Sequence, residues 1–261
     1  MKSFDIITLT VNPALDKSAH FSGLIPEQKI RCEAPLYDAG GGGINVSKAI
    51  SRLEGTSLAV IASGGPSGEM IKEILHKESI AFHAIETKNW TRESFVAVDD
   101  NTNSQYRFNF PGTSISNTEK NEIICAVEGL ESRYLVLSGS LREGLSVDFY
   151  QKMAKIGKQS NARVIVDTSG EALKKVLETG VYMIKPNVGE LAKLIGVEHL
   201  EMEEVSDAAR KIIAVGGAEI VVVSLGPQGA VLVAGDSYDF VPAPKVAKKS
   251  TVGAGDSMVG G

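Results

Sequence analysis

Asp256 closes a run of small residues, Ser250-Thr251-Val252-Gly253-Ala254-Gly255-Asp256, placed where a helix should begin. A Gly-Ala-Gly turn leaves backbone N–H groups bare and lets an anion come close, and the first turn of a helix adds the positive end of its dipole. The run therefore predicts an anion pocket. A carboxylate inside such a pocket is poorly placed unless it acts on the group bound there. The fitting task is to take a hydroxyl proton as a phosphoryl group arrives. Read alone, the run suits equally an Asp that caps a helix after a flexible turn, so the other constellations decide.

Near the start, Gly40-Gly41-Gly42-Gly43-Ile44-Asn45-Val46 runs into an amphipathic stretch. Its spacing matches neither a dinucleotide fingerprint nor a Walker phosphate loop. Four glycines cost backbone entropy, so they imply close approach of the main chain to something, and Asn45 at the helix start suits a cap or a sugar hydroxyl. Asn12-Pro13-Ala14-Leu15-Asp16 follows the first strand, which places Asp16 at the carboxyl end of a sheet to hold two sugar hydroxyls or to form a turn. Ser138-Gly139-Ser140 ends another apolar strand and offers hydroxyl and N–H donors. Lys29, Arg31, Arg92 and Arg107 fall in or beside two polar, strand-like segments and suit either solvent or a phosphate clamp.

In the second half, Lys185-Pro186-Asn187-Val188-Gly189-Glu190 opens a helix. Asn187 and Glu190 share one face there, suited to holding Mg²⁺ through water or to forming a capping box. Ser224-Leu225-Gly226-Pro227-Gln228-Gly229 joins two apolar strands, either as a plain hairpin or as a nucleotide shelf.

These residues need a scaffold, and the chain alternates apolar strand-like runs (6–11, 58–61, 134–138, 163–166, 182–184, 220–224) with amphipathic segments (46–53, 69–77, 147–158, 190–195). Continuous Val/Ile/Leu runs suit strands buried on both faces, so the pattern predicts an α/β sandwich with a mostly parallel sheet. Residues 17–37 and 94–110 break it. They read as antiparallel strands of a small lid whose exposed apolar residues favour pairing with a second copy.

Length and composition bound the alternatives. The chain has 261 residues, 43% hydrophobic and 23% charged, which predicts one globular domain over 1–261 including the lid. A formal charge of −5 argues against a general nucleic-acid binder. Cys32, Cys125 and four scattered histidines show no metal-ligand spacing. With no apolar run of membrane-spanning length and no signal sequence, the expected location is the cytoplasm, with no membrane partner.

Taken together and in this order, the glycine run ending in Asn45 and the Gly-Ala-Gly-Asp256 run resemble the ribokinase-like carbohydrate kinases, specifically their phosphofructokinase B branch. Trp90-Thr91-Arg92, Gln105-Tyr106-Arg107-Phe108 and the Ser224 to Ala230 segment are most similar to its minor bacterial 6-phosphofructokinases, type II, and Gly42 stands where related 1-phosphofructokinases usually carry Lys. The resemblance implies a three-layer α/β/α sandwich with a strand lid, and ATP-dependent phosphorylation of fructose 6-phosphate. Tagatose 6-phosphate or fructose 1-phosphate are the alternative substrates.

By the same resemblance Asp256 is the base and Gly253, Ala254 and Gly255 line its anion hole. Asp16, Gly41, Gly42, Gly43, Ile44, Asn45 and Ser140 hold the sugar, while Lys29 and Arg92 meet its phosphate. Lys185, Asn187, Ser224, Leu225, Gly226, Pro227, Gln228 and Gly229 face ATP. Glu190 orders Mg²⁺, and Ser250 and Val252 offer carbonyls to potassium. It further implies a homodimer joined through the lid. Relatives continue past Gly261, so the C-terminal part of the fold is expected to be missing, with a bare sheet face near 220–224 and no stable helix after Asp256. A non-catalytic module that binds sugar phosphate or dimerises is then the alternative from another class.

Overall fold

The computed structural model describes residues 3–245 and 253–261. Its main sheet is built from β1 (Ser3–Thr10), β4 (Leu58–Ser63), β5 (Ala81–Glu86), β8 (Glu131–Ser138), β9 (Arg163–Asp167), β10 (Val181–Ile184), β11 (Ala218–Ser224), β12 (Gly229–Ala234) and β13 (Ser237–Pro242). Their order is β13-β12-β11-β10-β9-β8-β1-β4-β5. All pairings from β11 to β5 are parallel, and only the β11–β12 and β12–β13 pairs are antiparallel. Every residue of β4 is buried, as a strand covered on both faces requires.

Two layers of helices provide that cover. Ile7, Leu9, Leu135, Leu137, Val164 and Val166 face one side, where they pack with α3 (Asn117–Glu128), α4 (Phe149–Gln159), α5 (Gly170–Leu177), α6 (Val188–Ile195) and α7 (Val205–Ala214). The alternate residues, among them Ile6, Val136 and Ile165, face α1 (Gly42–Arg52) and α8 (Ala254–Gly260), while Ala59 and Ile61 meet α2 (Gly65–Lys77). The expected three-layer sandwich is present. Near 220–224, Val221 and Val223 are buried, whereas Ile220 and Val222 are half-buried.

A second sheet, ordered β3-β2-β6-β7, comprises β2 (Ala14–Phe21), β3 (Leu36–Gly40), β6 (Arg92–Asp99) and β7 (Ser104–Asn109). It corresponds to the expected lid with one correction: β2 and β6 pair in parallel, and only the outer pairs are antiparallel. The reason is topological. β2 follows the carboxyl end of β1 and β6 follows that of β5, which runs parallel to β1 one strand beyond β4, so both enter the lid from the same side.

Three helices, α3, α5 and α7, lie outside the amphipathic segments named above, although α5 and α7 are as strongly amphipathic as α4. For α3 the signal lay in its N-terminus, where Ser116 and Glu119 form a full capping box. Two helices depart from expectation. Residues 254–260 do form a helix, short as it is, because tertiary packing replaces missing length: a Cβ on Gly260 would lie 2.7 Å from Ala49 Cβ and 3.0 Å from Val46 O, so α8 rests directly on α1.

The other, α1, starts at Gly42, four residues before the amphipathic stretch. A Cβ on Gly42 would lie 2.2 Å from Ser138 Oγ, and one on Gly43 would lie 2.6 Å from Thr10 Oγ1 and 2.9 Å from Leu9 O. The glycines thus let the helix end sit on the tips of β1 and β8. Gly43→Ala should therefore cost about 2 kcal/mol by overpacking against backbone, lowering the unfolding midpoint by roughly 5 °C. At Gly196, where φ is +80° and nothing lies within 4 Å of a built Cβ, Ala should cost only about 1 kcal/mol of backbone strain. Thermal unfolding of both variants checks this; an undisturbed Gly43→Ala protein would show that the contact is not tight.

Candidate active site

The two sheets meet at the carboxyl ends of the parallel strands, and a cleft of about 650 Å³ opens there. Asp16, Asp38, Asn45, Arg92, Gly139 and Asp256 all line it, together with Gly41, Gly42 and Gly253. Residues from opposite ends of the sequence are thus brought together. Asn45, on the first turn of α1, donates from Nδ2 to Asp256 Oδ2 at 2.8 Å. Asp256 is the third residue of α8, whose N-cap Gly253 adopts φ 72°. That left-handed turn is where glycine is favoured, and it brings Gly253 beside Asn45: a built Cβ would lie 3.4 Å from Asn45 Nδ2.

Asp16 lies elsewhere than expected. It belongs to lid strand β2, in register with Asp38 of β3 and Ser94 of β6, rather than to a turn after β1. Ser94 Oγ donates to Asp16 Oδ1, and Gly40 makes room for the carboxylate, since a Cβ there would lie 2.0 Å from Oδ2. Burial raises the Asp16 carboxyl above its ordinary range, opposed by the Ser94 hydrogen bond and by Arg92. Arg92 is itself pushed down by burial, and its Nε is buried without a hydrogen-bond partner. Arg107, Gln105 and Asn109 of β7 complete the lid wall of the cleft.

Gly43 and Ile44 are buried and serve packing: Ile44 N donates to Thr10 Oγ1 at 3.0 Å. Ser140 faces an adjoining recess with Asn12, Arg92 and Arg142, and its Oγ accepts from Asn12 Nδ2 at 3.0 Å. Lys29 is not brought in. It is exposed in the loop between β2 and β3 and does not line the cleft.

On the other flank Lys185 is buried, with Nζ 3.2 Å from Asp167 Oδ1 at the end of β9. A Cβ on Gly255 would lie 3.2 Å from the same Nζ, so the pair sits directly beneath the first turn of α8. Burial pushes the Asp167 carboxyl up to about 6; Lys185 acts against the rise, and the Asp256 charge adds to it. Asp167 was missed in the sequence. Its signal is the one that marked Ser138, a polar residue ending an apolar strand. Asp38, which precedes the glycine run, and Ser94 were missed as well.

Asn187 and Glu190 form the capping box of α6: Asn187 Oδ1 accepts from Glu190 N at 2.8 Å, and Glu190 Oε2 accepts from Asn187 N at 2.9 Å. Ser224 sits alongside, bridged to Asn187, with its N–H donating to Pro186 O at 3.0 Å. The turn after it is a short 3-10 segment, Gly226–Gln228, closed by Leu225 N donating to Gly229 O at 2.9 Å. At Gly229, where φ is 121°, a Cβ would lie 2.0 Å from Val241 O, so this glycine serves the strand pairing. Ser250 and Val252 lie outside the described residues. Among the described residues no cluster of three or more His, Cys, Asp or Glu side chains could cage a metal. The separate carboxylates Asp167, Glu190 and Asp256 fit Mg²⁺, which keeps several waters and is held by few carboxylates plus substrate phosphates.

The Asp167 carboxyl, raised from 3.8 to about 6, binds its proton more tightly in the folded than in the unfolded chain. Its contribution to stability is therefore present at low pH, declines as pH rises between those two values, and is flat above them. A ¹³C-carboxyl titration should find this group near pH 6, and Lys185→Met should move it further up. A carboxyl titrating near the ordinary value of about 4 would contradict the described burial.

A sequence profile of the pfkB family carbohydrate kinases matches residues 3–261. The chain is 40% identical over 257 residues to the ATP-dependent 6-phosphofructokinase isozyme 2 of Escherichia coli (strain K12), covering 98% of this chain and 83% of that protein. It is 35% identical over 257 residues to the 1-phosphofructokinase of Bacillus subtilis (strain 168), covering 98% and 84%. The crystal structure of the E. coli phosphofructokinase-2 in complex with fructose-6-phosphate superimposes with a TM-score of 0.93 at 39% identity, covering 98% of this chain and 85% of that one. That enzyme has also been solved in complex with potassium. The chain belongs to the pfkB family of carbohydrate kinases.

Proposed function

We propose that the protein transfers the γ-phosphoryl group of ATP to the 1-hydroxyl of fructose 6-phosphate, giving fructose 1,6-bisphosphate. The observation that carries this reading is the convergence of Asp256, Asp16 and Arg92 on one cleft at the carboxyl edge of the sheet. Asp16, with Oδ1 engaged by Ser94, offers its other oxygen to the sugar hydroxyls. Arg92, whose Nε has no protein partner, is assigned to the 6-phosphate; Arg107 lines the same cleft, and Lys29 stays outside it.

Asp256, oriented by Asn45, takes the proton of the 1-hydroxyl as that oxygen attacks phosphorus in line. The proton leaves late in a loose transition state, so placement matters more than basicity. The N–H groups at the start of α8 have no partner within their helix and face the transferred oxygens. We assign Lys185, Asn187 and the Ser224 to Gly229 turn, adjacent in the fold, to ATP. Mg²⁺, when bound, neutralises the phosphoryl oxygens; Glu190 Oε1, which the capping box leaves free, is suited to hold one of its waters. Support for potassium is the E. coli complex. Exposed Leu24, Ile25, Leu36, Phe108 and Phe110 on the lid and its loops support a homodimer joined there, and two exposed free cysteines fit a reducing cytoplasm.

Asp256→Asn should lower kcat by roughly a hundredfold or more and leave the affinity for fructose 6-phosphate nearly intact. Near-normal turnover would remove Asp256 from its role. Arg92→Ala should lose about 2 kcal/mol or more of transition-state binding for fructose 6-phosphate, given charge-assisted bonds of ~1.5–3 kcal/mol. Unphosphorylated fructose should be almost indifferent to the change. Equal losses of kcat/KM for both sugars would give Arg92 a purely structural role.

A further inference from the structure

Arg142, in the loop between β8 and α4, is only 3% exposed, although the loop itself runs at the surface. Its guanidinium spends its donors on two other segments. Nε donates to Thr113 O at 2.7 Å, Nη2 donates to Thr113 Oγ1, and Nη1 donates to Ala62 O at 3.2 Å. The buried Glu119 carboxylate offsets part of the buried charge. Removing a guanidinium from water is costly, and an apolar side chain would close the same loop without that penalty. The arrangement is therefore explained by what it holds.

It holds the entry to β6. Thr113 Oγ1, fixed by Arg142, donates to Trp90 O at 2.9 Å. The next residue, Thr91, is locked by three further bonds: its N–H donates to Gly64 O at 2.8 Å, its Oγ1 accepts from Gly64 N at 3.0 Å, and its carbonyl accepts from Ser67 Oγ at 2.7 Å. Arg92 follows. Its Nε has no hydrogen-bond partner and its charge interacts with Asp16, so the place of the guanidinium is set by the backbone that carries it together with that carboxylate. Both Arg92 and Arg142 line the recess that adjoins the cleft.

We propose that Arg142 is a positioning residue for Arg92, acting through Thr113 and the carbonyl of Trp90 to set the affinity for the phosphate carried by the sugar. This rests on the assignment of Arg92 to that phosphate. Arg142→Met keeps an unbranched apolar stem, shorter than arginine by the outer part of the guanidinium, and removes the donors. Its KM for fructose 6-phosphate should rise about tenfold, with kcat and the KM for ATP changed by less than about twofold. Arg142→Lys, which restores one donor and the charge, should recover part of the loss. Thr113→Val breaks the middle of the relay without touching the buried cation, should move KM in the same direction by about threefold, and decides the matter if Arg142→Met does not fold.

Placed in an Arg92→Ala background, Arg142→Met should add less than about twofold, because residues acting through one another are not additive. Calorimetric titration of the sugar phosphate reads the same affinities without turnover. An unchanged sugar KM in folded Arg142→Met and Thr113→Val proteins, or a full tenfold effect in the Arg92→Ala background, overturns the relay alone. Equal rises in KM for sugar and ATP would show a general structural role and overturn it too. An Arg92→Ala protein with an unchanged KM for fructose 6-phosphate overturns the phosphate assignment itself, and with it this proposal.

Discussion

The hydrogen bond from Asn45 to Asp256 joins residues 211 positions apart, and the rest of the site is arranged around it. It exists because the first turn of α1 sits on the tips of β1 and β8, closer than any side chain at Gly42 or Gly43 would allow. It also requires α8 to lie on α1, where Gly260 lets the two helices touch. The close approach that the glycine run implies is realised in the fold as tight packing at the floor of the cleft. Its consequence is orientation: a carboxylate at the third position of a short helix is fixed by an amide from the other end of the chain.

Around this contact each buried cation faces a carboxylate. Buried Lys185 answers Asp167 beneath α8, buried Lys48 on α1 reaches the exposed carboxylates of Asp38 and Glu78, and the field of Glu119 offsets that of Arg142. Buried pairs add little net stability, since desolvation offsets most of their attraction, but losing one partner leaves an uncompensated charge. Such pairs are suited to fixing loops in place. Here they tie the loop after β8 to the segment after β7, the end of β9 to the residue after β10, and α1 to the strand β3.

Much of this was legible in the sequence where a local rule and the tertiary need coincide. The apolar runs mark the buried parallel strands, and Asn45, Arg92 and Asp256 stand in motifs whose residue types suit anion or sugar chemistry as well as capping or solvent; the fold brings all three to one cleft. What was not legible is set by contacts distant in sequence. Asp16 reads from the sequence as a sugar ligand or a turn former at the end of β1, because nothing local says that the chain goes on into β2 and pairs with β6. Asp167 has no place in the sequence reading, because its meaning comes from Lys185 and Asp256. The start of α1 was placed late because glycine scores as a helix breaker, and only the proximity of Ser138 and Thr10 explains why it is required. Asn187 and Glu190 were readable in two ways, and the capping geometry is the one the fold displays.

Phosphorylation in this cleft at the 1-position of a sugar already phosphorylated at the 6-position is tested most directly by ³¹P NMR of the products formed from ATP and Mg²⁺ with fructose 6-phosphate, alongside kcat/KM for fructose 6-phosphate, fructose 1-phosphate and tagatose 6-phosphate. Such chemistry yields ADP and fructose 1,6-bisphosphate in equal amounts, with the highest kcat/KM for fructose 6-phosphate. ADP formed without the bisphosphate, or a higher kcat/KM for fructose 1-phosphate, would contradict it.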